Sequence, residues 1–471
     1  MFRRTSRVLL LALLMLAACR QAPDQAPAAT SPTTAPTLTP APTAPPLPPQ
    51  PPPGMLYVDA AYDLGAIPPT VYGTNYGPWI TVPLALQEAY RQSQLHLLRF
   101  PGGAYGDEHN LRPLQIDQFV DLAAQIGAEP LISVRLFAGT LEQAVDLLRY
   151  TNFERDYGVR YWSIGNEPSL YATAYNAPEW DVDHYNAQWR EFALALKAAD
   201  PSILLFGPDT HQYTADPGAN PSDSSGRDWM ASFLAANGDL VDVVAFHRYP
   251  FPTALNAPAT TIEQLRASTA EWDLIIPALR ELIHEKTGRD LPLAVTEINS
   301  HWTRAIGGEA TPDSHFSAIW WGDVLGRLIR NDVAYVAHFA LQSPPSFGGW
   351  GLLARDDVRP GYYVYQMYAH FGDRLRFSAA PAGNVSLFAA LDDEEAGART
   401  LTLMLVNLAD EAQTLPLQLD HFAPSGDAAI WLFDAAHNAT SLAAEPLAGG
   451  TTLTLPPQSM TLYAIPGTVT P

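Results

Sequence analysis

Cysteine is almost absent: Cys19 is the one example in 471 residues. That excludes an internal disulfide and any metal site built from several thiolates. Positive charge is also scarce. Lys and Arg number 27 against 49 Asp and Glu, a formal net charge of −22. Such a surface repels phosphate backbones and anionic membranes, so nucleic acid is excluded as a partner and so is electrostatic adsorption to lipid. No long apolar run fits a membrane span; the run at residues 8–16 is too short. P-loop, EF-hand and H-E-x-x-H motifs are missing, and the expected set of cofactors and metals is empty.

Residues 1–18 do carry a pattern. Arg3, Arg4 and Arg7 precede the apolar run, which ends in Leu16-Ala17-Ala18-Cys19. This is the order of a secretory signal, and the last four residues resemble the bacterial lipobox. In that family the signal is cut before the cysteine, which is then acylated. The expectation is an exported protein held at the cell surface by lipid on Cys19, with no other membrane contact. An ordinary signal peptide with a chance cysteine is the alternative. Residues 19–54 are mostly Pro, Ala, Thr, Gln and Ser. They cannot bury enough apolar surface to fold and read as an extended spacer.

With 47% hydrophobic residues, the rest can form one large core and a smaller one. From 69 to 372 short β-rich runs alternate with longer amphipathic stretches. Eight strands are expected, at 71–75, 95–100, 129–135, 159–166, 203–209, 240–247, 293–297 and 333–339. Helices are expected between them, among others at 116–126, 141–149, 184–199, 262–286 and 315–329. Eight such units predict an α/β fold, a (β/α)8 TIM barrel. A doubly wound sheet would carry a Gly-rich phosphate loop after its first strand; Tyr72-Gly73-Thr74-Asn75-Tyr76-Gly77 is not one. From 373 to 471 the pattern becomes short strands and turns, at 385–391, 401–408, 414–419, 428–433 and 452–465, predicting a C-terminal antiparallel β-sandwich. Leu56-Tyr57-Val58-Asp59, in the segment 55–68, reads as one further strand.

Catalytic groups in such barrels sit at the C-terminal ends of strands. Arg160-Tyr161-Trp162-Ser163-Ile164-Gly165-Asn166-Glu167-Pro168 ends the fourth strand, and Leu293-Ala294-Val295-Thr296-Glu297-Ile298-Asn299-Ser300 ends the seventh. A glutamate after a buried strand needs a partner or a job. Strands four and seven face each other across the barrel mouth. Two carboxyls facing across a cleft are the machinery of glycoside hydrolysis, one giving a proton and one ionised. Asn-Glu-Pro alone is a short motif that could simply cap a helix.

Asn-Glu-Pro after strand four with a glutamate ending strand seven resembles the clan A retaining glycoside hydrolases. The chain looks closest to the branch of α-L-arabinofuranosidases, β-xylosidases and β-glucuronidase/heparanase-like enzymes. Leu98-Arg99-Phe100-Pro101-Gly102-Gly103, Thr296-Glu297-Ile298-Asn299-Ser300, Gly351-Leu352-Leu353 and Arg359-Pro360-Gly361-Tyr362-Tyr363 carry the likeness, which covers roughly residues 55–471. It implies Glu167 as acid/base and Glu297 as nucleophile. Asn166 would bond the hydroxyl beside the anomeric carbon, and Arg99 would orient and ionise the nucleophile. Tyr249 would contact the nucleophile, with His247 as the alternative for that place. The N-terminal strand would join the sandwich.

Asn75, Trp79 and Trp302 are further substrate-binding candidates, and Trp350 a third tryptophan on a loop at that face. Asp209, His211, His338 and Arg135 are candidates for the pocket lining, against ordinary structural roles. Asp392-Asp393-Glu394-Glu395 reads as a solvated hairpin tip. The expected partner is a carbohydrate substrate. A non-catalytic carbohydrate-binding lipoprotein and a transglycosylase stay open beside hydrolysis. Sugar, linkage, exo or endo action and oligomeric state are not written in these motifs, because loops build subsites.

Overall fold

The computed structural model describes residues 48–251, 259–302, 306–344, 348–392 and 399–470. Cys19, the signal, most of the Pro-rich spacer and Asp393-Glu394-Glu395 of the acidic run lie outside the described residues. Among the described residues no helix is long and apolar enough to cross a membrane.

Strand β1 (Leu56–Ala66) comes first. The next eight are β2 (Gly73–Asn75), β3 (Leu97–Phe100), β4 (Glu129–Val134), β5 (Tyr161–Ile164), β6 (Leu204–Thr210), β7 (Val243–Arg248), β8 (Leu293–Ile298) and β9 (Tyr335–His338). These eight close into a parallel barrel in chain order, β2 pairing β9. Each falls on one of the eight expected runs. The first is shorter than expected because Pro69–Val71 forms a 3-10 turn, with proline at its first position where no N–H is needed.

The barrel interior follows from the period-2 alternation of strands. Leu97, Leu131, Tyr161, Phe206, Val243 and Ala294 form an apolar cluster of their own. Two residues further along their strands stand Arg99, Ser133, Ser163 and Thr296, all buried and polar. The lower barrel is therefore an apolar plug, and its upper layer is polar and faces the mouth.

The run expected as one helix at 262–286 is two, Ile262–Ser268 and Trp272–Thr287, joined by a 3-10 turn. Ser268 Oγ and Thr269 Oγ1 donate to the carbonyls of Leu265 and Arg266, at 2.8 and 3.3 Å, and compete with the helix ladder. Helix Trp229–Asn237 fills the interval between the fifth and sixth barrel strands.

A two-residue pair, β10 (Leu353–Ala354) and β11 (Asp357–Val358), leads out of the barrel. Then follow β12 (Arg374–Ala379), β13 (Val385–Leu391), β14 (Arg399–Asn407), β15 (Gln413–Asp420), β16 (Phe422–Pro424), β17 (Asp427–Asp434), β18 (His437–Pro446), β19 (Thr452–Leu455) and β20 (Ser459–Val469). They pair in one path, β18-β17-β20-β14-β13-β12-β1-β15-β19, with β16 on β20. This large curled sheet encloses a second core that includes Leu56, Val58, Leu387, Leu403 and Ile465. The alternate residues Phe388, Met404, Met460 and Leu462 belong to the barrel's core. Strands β13, β14 and β20 are thus buried on both faces, as a sandwich packed on a barrel requires.

The expected N-terminal strand enters this sheet. It runs antiparallel to β12 and parallel to β15, so the sheet is not wholly antiparallel. The single run expected at 452–465 is broken by Pro456-Pro457, which cannot donate to a ladder. Strands β12, β16 and β18 were not expected; most of β18 is exposed and shows no apolar alternation.

Candidate active site

Two β-bulges aim the upper side chains. The β7–β8 register runs Phe246 to Val295 and then His247 to Glu297, so Thr296 is the extra residue. The β6–β7 register likewise skips Asp209, whose φ is 53°. A bulge puts neighbouring side chains on one side of a strand and re-aims them. Thr296 and Glu297 both reach the mouth, and Thr296 Oγ1 donates a short hydrogen bond to Asp209 Oδ1.

Glu167 lies just past β5, in the left-handed region with φ 49°. Gly165, at φ 78°, makes that turn possible: a Cβ there would lie 2.7 Å from the Tyr171 hydroxyl. Glu167 occupies the cap position of the Pro168–Leu170 turn, yet its side chain makes no capping bond. The capping role is therefore not how the carboxylate is used. Its Oε1 instead meets His247 Nδ1 at 2.8 Å.

Glu297 is 3% exposed and fully engaged. Its Oε1 accepts from Arg99 Nη1 and from the Gly103 N–H, each at 2.7 Å, and its Oε2 accepts from the Tyr249 hydroxyl at 2.9 Å. Burial pushes its pKa up, but the neighbouring His247 and Arg99 charges and the two further donors bring it below the usual carboxylate value. Tyr249 is pushed well above the ordinary phenol value by burial and by the charges of Glu297 and Glu167, so it stays a donor. His247 is raised: burial alone would lower it, but Glu297 and Glu167 outweigh that.

Arg99 is the hub. Besides Glu297, its Nη1 donates to Asn75 Oδ1 at 3.0 Å and its Nη2 to Asn166 Oδ1 at 2.8 Å. Asp209 Oδ2 lies 3.8 Å from the same Nη2. The amide of Asn75 donates to the carbonyls of Thr296 and Ala337, both at 2.9 Å. Asn75, expected to bind substrate, is thus spent on orienting Arg99. Tyr249 and His247 do not compete for one place: the first bonds Glu297 and the second bonds Glu167.

Seven candidates therefore converge: Glu167, Glu297, Asn166, Arg99, Tyr249, His247 and Asn75. Trp79 lines an adjoining pocket of about 330 Å³ with Phe339, Gln342 and Trp350. Trp302 is 45% exposed and lies outside that pocket. His211 meets Ser169, two residues past Glu167, at 2.8 Å, and burial lowers its pKa. His338 is buried against Trp321, its pKa pushed down to about 3 by burial, and is a neutral structural residue. Arg135 bonds the Phe137 carbonyl and Asn110 and does not join the carboxylates.

Two residues escaped the sequence reading. Asp107, buried, accepts from the N–H groups of Leu136 and Phe137 at 3.2 and 3.3 Å, from that of Asn166 at 2.8 Å, and from the Tyr171 hydroxyl at 2.5 Å. One carboxylate thereby ties together the loops after β3, β4 and β5. Gln342 is 2% exposed, and both its amide atoms lack a hydrogen-bond partner. An orphan buried amide in a pocket wall is costly unless a ligand satisfies it. Asp107 sits in Gly106-Asp107-Glu108, which looks like any polar turn, and Gln342 carries no motif; nothing in the sequence marks either.

One ligand atom each of Glu167, His247 and Glu297 lies within 4.8 Å of the others, a spacing that could hold a metal ion. The donor set does not fit one. Arg99 brings a full positive charge to 2.7 Å from Glu297 Oε1, and His247 Nδ1 already faces Glu167. The same figure bounds the distance between a Glu167 oxygen and a Glu297 oxygen.

No family model matches the chain. Among curated proteins, α-L-arabinofuranosidase C of Emericella nidulans is 26% identical over 169 residues, 27% of this chain and 33% of that protein. The intracellular exo-α-(1→5)-L-arabinofuranosidase of Halalkalibacterium halodurans is 23% identical over 197 residues, 34% of this chain and 37% of that protein. The chain spans about a third of the length of the curated relatives it matches. Solved structures align over nearly their whole length. The α-L-arabinofuranosidase from Thermotoga maritima superposes with a TM-score of 0.67 at 18% identity, covering 88% of this chain and 99% of that one. CelM2, a bifunctional glucanase-xylanase from a metagenome library, does so at 0.68 and 20%, covering 88% and 100%. These likenesses show the fold, a TIM barrel with a β-sandwich.

Proposed function

We propose that this chain is a retaining glycoside hydrolase in which Glu297 attacks the anomeric carbon and Glu167 protonates the leaving oxygen. The observation that carries it is the pair itself: two carboxylates across the barrel mouth, with oxygens within 4.8 Å and unlike surroundings. Retaining enzymes hold their carboxyls about 5–5.5 Å apart and inverting ones about 6.5–9.5 Å; a Glu167–Glu297 oxygen separation bounded by 4.8 Å is compatible with retention. Glu297, buried among four donors and cations, is held ionised. Glu167 is part-exposed and can reach a leaving group.

In the first step the bond from C1 to the leaving oxygen breaks as a bond from C1 to a Glu297 oxygen forms, and the Glu167 proton passes to the departing oxygen. Esterified Glu297 no longer carries charge, so an ionised Glu167 beside it meets no like charge and can take a proton from water. That water attacks C1 and releases Glu297. Arg99, Gly103 and Tyr249 hold the nucleophile's oxygens throughout. Asn166 Oδ1 is taken by Arg99, which leaves its Nδ2 for a substrate hydroxyl. The Trp79, Phe339 and Trp350 rings give the adjoining pocket an aromatic wall, as sugar pockets have.

The curated relatives are named for arabinofuranosides, so aryl arabinofuranoside heads the panel to test, with xyloside, glucuronide, glucoside, galactoside and fucoside. Glu297→Gln should lose turnover by at least about 10³-fold while still binding the substrate, because it removes the nucleophile and little volume. Glu167→Gln should lose roughly 10²–10⁴-fold, and less with a nitrophenyl leaving group that needs no proton. Undiminished turnover in Glu297→Gln would end this reading.

We further propose that Cys19, within Leu16-Ala17-Ala18-Cys19, is acylated after export and that the Pro-rich segment spaces the barrel from the membrane. Cys19→Ala should move the protein from the membrane fraction to the soluble exported fraction. Equal membrane retention of both forms counts against the anchor.

A further inference from the structure

The two carboxylates are held in different ways. Glu297 takes three donors on its own oxygens, whereas among the described residues the one hydrogen bond to the Glu167 carboxylate is that with His247. The direction of Glu167 therefore depends on the left-handed turn that carries it. Three successive N–H groups fasten the backbone of that turn. Gly165 donates to the Val134 carbonyl at 2.9 Å and Glu167 to the Asp209 carbonyl at 3.0 Å, both acceptors lying on barrel strands. The middle one, Asn166, donates to a side chain, Asp107 Oδ2, at 2.8 Å. The same oxygen accepts from the Tyr171 hydroxyl at 2.5 Å. One carboxylate oxygen thus grips the chain on both sides of Glu167, at 166 and at 171. Four residues earlier on its own loop stands Gly103, whose N–H holds Glu297 Oε1 at 2.7 Å.

We infer that Asp107 is a positioning residue: through Asn166 and Tyr171 it sets where the Glu167 carboxyl stands against Glu297. This rests on the glycosidase reading above and adds the residue that aims its acid. A tie kept for stability alone could sit anywhere under the barrel mouth and need carry no charge. This one straddles the acid and shares a loop with a donor to the nucleophile. Burial pushes its carboxyl up to about 6, so holding it ionised at neutral pH costs the fold stability. What ionisation supplies is an acceptor on every side. The N–H groups of Leu136 and Phe137 fill Oδ1, and Asn166 and Tyr171 fill Oδ2. An asparagine must turn its NH2 toward one of these pairs. Of the four partners only the Tyr171 hydroxyl can accept from it, so the NH2 goes to that side and meets the Asn166 N–H, donor against donor. The substitution therefore releases the turn at Asn166 and keeps the bonds to Leu136 and Phe137.

The test uses the intact protein and aryl glycosides of the sugar that the panel identifies, with leaving groups graded from dinitrophenyl to unsubstituted phenyl. The readout is kcat/KM, which reports the step in which the acid gives its proton. A departing phenolate needs that proton; a dinitrophenolate does not. Asp107→Asn should lower kcat/KM for the phenyl glycoside by about 10²-fold, the cost of misplacing a reacting group by about 1 Å. For the dinitrophenyl glycoside the loss should be only a few-fold. Tyr171→Phe keeps its ring against Phe137, Tyr175 and Trp180 and removes only the hydroxyl, and it should steepen the leaving-group dependence in the same direction. Loss of folded protein, or of the Asn166 contact to substrate, lowers kcat/KM equally for every leaving group. An equal loss across the series, or none, in Asp107→Asn therefore overturns the inference and leaves the glycosidase reading standing. If that variant does not fold, the same result in Tyr171→Phe overturns it. Should Glu167→Gln itself show no steeper dependence than the native protein, the acid assigned above is removed, and this inference with it.

Discussion

Arg99 stands at the centre of four acceptors. Its guanidinium is buried, bonds Glu297, Asn75 and Asn166, and lies near Asp209. A rigid planar fork suits this place better than an ammonium, because two of its nitrogens must reach residues on different strands at once. Asp107 works one layer away, through backbone. Burial pushes its carboxyl up to about 6 from 3.8, although four donors pull it down. A folded pKa above the unfolded value means the protonated form is favoured in the fold. The stabilisation is complete below pH 3.8 and is lost as pH rises through about 6. Asp107→Asn removes that titration. The stability of the native protein relative to the variant should therefore fall between pH 4 and 6, by on the order of 3 kcal/mol, and stay level above. Urea unfolding of both proteins at half-unit pH steps measures it; parallel curves across that range would exclude the shift.

Helix His315–Arg330 shows how an element is cut to fit its neighbour. It packs between the barrel and the curled sheet through Gly322 and Gly326, one turn apart. A Cβ on Gly326 would enter the ring of Phe388, which is fully buried, and one on Gly322 would meet the flexible Met460 side chain. Alanine gains about 1 kcal/mol of helix propensity, whereas overpacking a rigid core costs roughly 1–3 kcal/mol. Gly326→Ala should lower the thermal midpoint and Gly322→Ala should change it little. Equal midpoints for both variants would mean that Phe388 gives way as readily as Met460.

The elements themselves were largely legible, and for a physical reason: buried parallel strands are continuous apolar runs, and barrel helices carry one apolar stripe. Expected strand 385–391 matches β13, and expected helix 141–149 matches its counterpart in the fold. What escaped lacked that signature, such as the exposed β18. The bulges at Asp209 and Thr296 escaped for another reason. They are defined by a partner strand's register, which no single run of sequence contains.

At the scale of the whole molecule, β1 closes the design. It lies between β12 and β15 and buries Leu56, Val58 and Ala60 in the sheet's core. Its Asp59 meets His421 at 2.8 Å. A chain beginning at Pro69 would leave two unpaired strand edges over an opened core, an invitation to aggregate. Such a chain should be largely insoluble, and any soluble part should lose near-UV dichroism. A soluble truncated protein with an unchanged cooperative unfolding transition would show the strand to be dispensable.

By itself the sequence determined the order of strands and helices, the two glutamates at strand ends and the arginine at the end of the second barrel strand. Those follow from local periodicity and from where chain direction places a strand's end. Tertiary structure alone decided how the side chains are shared. Asn75 serves Arg99, His247 takes Glu167 and Tyr249 takes Glu297. Asp107 ties three loops, and Gln342 is left without a partner in an aromatic wall. Hydrogen bonds between residues far apart in the chain depend on bulge, register and loop geometry, and these exist only once the barrel has closed.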